Sequence, residues 1–137
     1  MSTRSLIGIQ TEKTIEAIYC HWDGHPDHHL PILTGHYATD AAVARLLALG
    51  DLSILGPERG RKHDFRTHSE SPKAKGWCLA YGRDRGEKKT AKRTYACEDA
   101  FLADASKRWA AYVYLFRAGR WLYRDVHKDD AWREATA

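Results

Sequence analysis

Arg4-Ser5-Leu6-Ile7-Gly8-Ile9-Gln10-Thr11-Glu12-Lys13-Thr14-Ile15-Glu16-Ala17-Ile18-Tyr19-Cys20-His21-Trp22-Asp23-Gly24 is the stretch that decides the fold class. Arg4–Gln10 and Thr14–Trp22 read as two strands around the polar turn Thr11-Glu12-Lys13. Ile7, Ile9, Ile15, Ile18 and Tyr19 are the β-branched and aromatic types that strands favour. The second strand is apolar on both faces in places, which predicts a central, well-covered position. It ends in a polar cluster, Tyr19 to Gly24, where Asp23-Gly24 is a turn signal. Trp22 is expected to pack in the core with its indole N–H bonded.

Outward from this hairpin, residues 23–33 hold Gly24, Pro26 and several histidines and read as a loop, with one or two helical turns across Leu30–Tyr37. Thr39 or Asp40 caps the clearest helix. Val43, Leu46 and Leu47 line one of its faces, and Gly50 stands where a glycine ends a helix. Residues 51–55 read as a short turn. Residues 57–75 and 83–93 read as two mobile charged loops, and Trp77–Tyr81 between them as a third strand. Glu98–Trp109 is predicted helical, with Phe101, Leu102, Ala105 and Trp109 inward. Ala111–Phe116 and Trp121–Arg124 form a last hairpin, and the tail after Asp125 frays or adds a short helix. The element order ββ-α-β-α-ββ predicts an α+β fold, one domain over 1–137. Its antiparallel sheet has about five strands, with helices packed on one face.

A chain of 137 residues with five Trp and seven Tyr can build a hydrophobic core without disulfides or metal. Cys20, Cys78 and Cys97 are odd in number and widely spaced, so neither a disulfide framework nor a zinc clip is indicated. The opening residues lead straight into a strand-like run. With no signal-like or membrane-spanning stretch, a cytoplasmic setting is expected. The net charge of +4 permits an anionic partner without demanding one.

Four constellations could carry chemistry. His21 and Asp23, at a rigid strand end, are residue types for acid–base work, and Arg4 or Arg83 can hold an anionic substrate beside them. Alternation along a strand separates Cys20 from His21, and the spacing of His25, His28, His29 and His36 gives no metal site. Arg83-Asp84-Arg85, with Lys88, Lys89, Lys92 and Arg93, reads either as a solvated loop or as an arm that contacts anions. A weaker basic run holds Arg59, Arg61, Lys62, Arg66, Lys73 and Lys75. Tyr112, Tyr114, Phe116, Trp121 and Tyr123 alternate on the last hairpin, as core pairs or as a stacking surface for bases. No cofactor-binding glycine motif is present.

The segments Thr3–Ile9, Thr14–Gly24, His36-Tyr37, Leu49–Gly56 and Ala80-Tyr81-Gly82-Arg83-Asp84-Arg85-Gly86-Glu87 resemble a family of small uncharacterised phage and prophage proteins. The resemblance covers residues 3–87. The chain departs from that pattern at His25-Pro26-Asp27-His28-His29, where the family has a glycine-containing segment. The resemblance implies a phage accessory protein in a bacterial host cell, and the leading reading is a non-enzymatic binding protein. Such a protein binds and blocks a host protein or nucleoprotein complex, as an anti-CRISPR or other anti-defence inhibitor does. The candidate binding residues are Arg4, His21, Asp23, Arg83, Asp84, Arg85, Lys88 and Lys89. The surface is expected on loops 57–75 and 83–93 beside the His21–Asp23 corner. The second reading is a nucleic-acid or nucleotide binder using Arg83, Arg85, Lys88, Lys89 and the hairpin aromatics. The third is a small enzyme using His21 and Asp23.

Overall fold

The computed structural model describes residues 2–63, 72 and 75–135. The expected first hairpin is β1 (Arg4–Thr11) and β2 (Thr14–Cys20), paired antiparallel from Ser5↔Cys20 to Thr11↔Thr14. There follow α1 (Pro26–His36), α2 (Asp40–Leu47), β3 (Leu52–Ile54), β4 (Leu79–Ala80), α3 (Tyr81–Arg85), β5 (Arg93–Tyr95), α4 (Glu98–Lys107), β6 (Ala110–Arg117), β7 (Arg120–Asp125) and β8 (Arg133–Glu134). All the strands join one sheet in the order β4-β3-β2-β1-β6-β7-β8, with β5 alongside β2.

The fold is α+β, but the sheet is mixed and has eight strands where about five antiparallel ones were expected. β1 runs parallel to β6, and β2 parallel to β3. The connections explain the direction. Parallel neighbours need a long crossover, and the chain leaves β2 through α1 and α2 before returning as β3. The extra strands are short pieces from segments read as turn, loop and tail: β3, β5 and β8.

Helices cover both faces of the sheet, not one. Ile7, Ile9, Ile18 and Cys20 pack with Leu33 of α1 and Val43, Leu46 and Leu47 of α2. Leu6, Ile15 and Ala17 point the other way and pack with Phe101 and Ala105 of α4, beside Val113 and Leu115. The period-two alternation of β1 and β2 therefore feeds two cores.

Local differences have local causes. Residues 26–36, read mostly as loop, are helical because Pro26 stands at the helix start, where its missing N–H costs nothing. The His25 side chain caps that start by accepting from the Asp27 amide at 3.1 Å. Thr39 caps α2 as expected, accepting from the Ala42 amide. The third strand is shorter than predicted, since Tyr81 already begins α3. Of the charged loop predicted at 57–75, residues 64–71, 73 and 74, with Arg66 and Lys73, lie outside the described residues. No helix among the described residues is long and apolar enough to cross a membrane.

Candidate functional site

The end of β2 meets the start of β1, and the backbone beyond Cys20 is held from both sides. On one side the His21 and Trp22 amides donate to the carbonyls of Leu52 and Ser53, each at 3.0 Å. On the other the Gly24 amide donates to the Thr3 carbonyl at 2.8 Å. Only glycine fits at position 24: a Cβ there would lie 2.7 Å from the Thr3 oxygen and 3.0 Å from Ser5 Cβ. The preceding Asp23 takes up the left-handed turn, with φ +57°. The segment 21–24 is thus as fixed as the sheet itself.

Alternation sends Cys20 into the core and turns Tyr19 and His21 together to the other side. The Tyr19 hydroxyl and His21 Nδ1 share a hydrogen bond of 2.7 Å. The His21 ring meets the edge of Trp22 at 4.8 Å, with the planes perpendicular. Trp22 is 45% exposed, contrary to the expected core position. It lies past the last ladder pair of β2, where strand alternation no longer aims a side chain at a core.

Arg4, from the start of β1, and Arg85, from the end of α3, complete this corner. Burial lowers the His21 pKa below its ordinary value, and the positive charges of Arg4 and then Arg85 push it further down. Burial raises that of Tyr19, against the pull of Arg4. The Arg4 side chain donates to the Ser2 hydroxyl at 3.5 Å, and the Arg85 guanidinium lies over the Tyr81 ring. Among the described residues neither arginine has a carboxylate partner. The corner therefore presents an indole, an uncharged imidazole and two cations to solvent.

The other predicted residues are placed differently. Asp84 is buried and accepts from the amides of His63 and Ala80, each at 2.8 Å, and from Arg83 through both oxygens. Arg83 also donates to the carbonyls of Arg59 and Cys78. Burial pushes the Asp84 carboxyl up, but the bonds from Arg83, Ala80 and His63 outweigh it and hold the pKa below the ordinary value. These two residues staple α3 to the loop before β4. Lys88 and Lys89 are exposed on the turn after α3. His21 and Asp23 lie two positions apart at the same corner, and His21 Nδ1 is taken up by the Tyr19 hydroxyl. Tyr114, Phe116 and Trp121 of the aromatic hairpin are buried, and the Trp121 indole donates to the Tyr37 carbonyl.

Sequence reasoning missed what lies beneath the corner. His29 is fully buried, with Nε2 3.1 Å from the Ser5 hydroxyl and Nδ1 2.9 Å from His28. Burial, then the neighbouring His28, lowers its pKa to about 3. The Tyr114 hydroxyl donates to the Gly24 carbonyl. No sequence signal marks these partners, which lie 24 and 90 positions apart. Cys20 and Cys78 are buried, and burial raises the Cys20 thiol to about 12, so it stays protonated. No cluster of three or more His, Cys, Asp or Glu side chains suited to a metal ion occurs among the described residues. The chain matches no protein-family model and resembles neither a curated protein nor a solved structure.

Proposed function

We propose that this protein is a non-enzymatic binding protein that occupies and blocks a host protein or nucleoprotein complex. It would be a phage accessory inhibitor of the anti-defence kind, acting inside a bacterial host cell. The observation that carries the binding reading is Trp22. A large indole stands in solvent on backbone pinned by three hydrogen bonds, beside His21, which feels the charges of Arg4 and Arg85. Trp and Arg dominate the energetics of protein interfaces, and a preformed anchor avoids the ordering cost of a mobile one. The biological setting is the one that the resemblance expected for residues 3–87 implies.

The test compares tagged wild-type protein with Trp22→Ala and Arg4→Glu in pull-downs from host lysate, with and without nuclease. One specific partner should be retained by the wild type in both conditions and lost from both variants. Equal recovery by all three proteins would refute the proposal. Exposed Lys88 and Lys89 beside Arg85 favour nucleic-acid binding as the second reading. It requires binding to oligonucleotides that weakens steeply with salt.

A further inference from the structure

Two large apolar side chains are exposed among the described residues, Trp22 at 45% and Trp109 at 77%. The sheet puts them at the same end. β2 runs antiparallel to β1, and β6 parallel to β1, so the last residues of β2 and the first of β1 and β6 share one edge of the sheet. Trp22 follows Cys20, the partner of Ser5, by two residues. Trp109 immediately precedes Ala110, the partner of Arg4. The two strands are separated only by β1, about 10 Å at ordinary strand spacing. Arg4, at the start of β1, stands on the strand between them.

Trp109 also breaks a local rule. It follows the last residues of α4 with φ +63°, the left-handed position at which helices usually place glycine. A bulky residue there is strained. Its exposed side chain recovers almost nothing by packing. A strained residue whose side chain faces water works against the stability of the fold, and such violations collect at functional sites.

Building on the binding proposal above, we infer that Trp109 and Trp22 together anchor a protein partner whose contact surface joins apolar pockets to an acidic rim. Arg4 and Arg85, which have no carboxylate partner among the described residues, supply the complementary charge. Protein is favoured over nucleic acid as the occupant because two exposed indoles, the side chain most enriched at interface hot spots, stand at this one end of the sheet. The cations nearest the indoles are also arginines, the type enriched at protein interfaces.

The experiment pans a displayed random-peptide library against the full chain, then measures selected peptides on wild type, Trp22→Ala, Trp109→Gly and Trp109→Asn. Selected peptides should combine an apolar anchor with Asp or Glu and bind roughly tenfold or more weakly to each variant. Trp109→Gly should meanwhile raise Tm by roughly 3–6 °C, since glycine relieves the left-handed strain. A structural role would move Tm the other way. Loss on Trp22→Ala with full binding by both Trp109 variants overturns this inference and leaves the binding proposal standing. So does a lowered Tm in Trp109→Gly. Selection of peptides without acidic residues, no selection at all, or displacement of the peptides by oligo(dT) in a steeply salt-dependent manner also overturns it.

Discussion

His29 shows how a residue type can mislead when its surroundings are unknown. Its neighbours His25 and His28, and Pro26, suggest a solvated loop, yet the ring is sealed between Ser5, His28 and Tyr114. Burial keeps it neutral, with a pKa near 3 against about 6.5 for the unfolded chain. The unfolded state therefore binds the extra proton between those values. The contribution of His29 is whole above pH 6.5 and is lost as pH falls towards 3, at up to about 1.4 kcal/mol per pH unit. Urea unfolding between pH 4 and pH 7 should show wild-type stability falling more steeply than that of His29→Gln. Parallel curves would refute this account. The same blindness explains Trp22 and Trp109: both look like core, and only the positions where β2 and α4 stop leave them in water. Gly24 and Asp23 were legible as a turn, because backbone chemistry is local.

At the scale of elements, hydrophobic period and capping residues marked β1, β2, α2, α4, β6 and β7, since those signals lie within the element. The pieces that escaped, β3, β5 and α3, are held by distant partners. Asp51 is the clearest of these. Its carboxylate accepts from the Tyr19 amide at 2.9 Å and from both terminal nitrogens of Arg93 at 3.0 Å. Its own backbone accepts from Tyr81 and donates to Thr90. One residue thus ties β2, α3 and the approach to β5. The hydrogen bonds that Arg93 donates to the Asp51 carboxylate are the main cause of its raised pKa. Nothing in Gly50-Asp51 as a sequence points 42 positions ahead. Asp51→Ala should cost roughly 2–4 kcal/mol, because it strands a half-buried guanidinium and an amide at once. Asp51→Asn should cost less, as it keeps acceptor oxygen for Tyr19. A loss below about 0.5 kcal/mol in denaturant unfolding of the alanine variant would show that the junction is not a structural hub.

For the whole molecule, the decisive property is that two cores share the same strands. Leu6 serves one face of β1 while Ile7 and Ile9 serve the other. β6 divides likewise, with Val113 and Leu115 against α4, and Tyr114 and Phe116 against the opposite helices. This was half legible. The apolar residues on both faces of β2 marked a well-covered strand, yet helices were expected on one face only, and strand direction cannot be read from a period-two pattern that is identical in parallel and antiparallel sheets. Stripping α4 away would expose Leu6, Ile15 and Val113, and stripping α1 and α2 would expose Ile7, Ile18 and Tyr114. In either case the strands that support the remaining core lose a face, so neither core is expected to persist alone. Thermal unfolding should therefore be one cooperative transition. The far-ultraviolet circular dichroism midpoint should coincide with that of tryptophan fluorescence, which reports on buried Trp121. The calorimetric and van't Hoff enthalpies should agree. Separated midpoints, or a calorimetric enthalpy well above the van't Hoff value, would mean that one core melts before the other and that the sheet does not couple them.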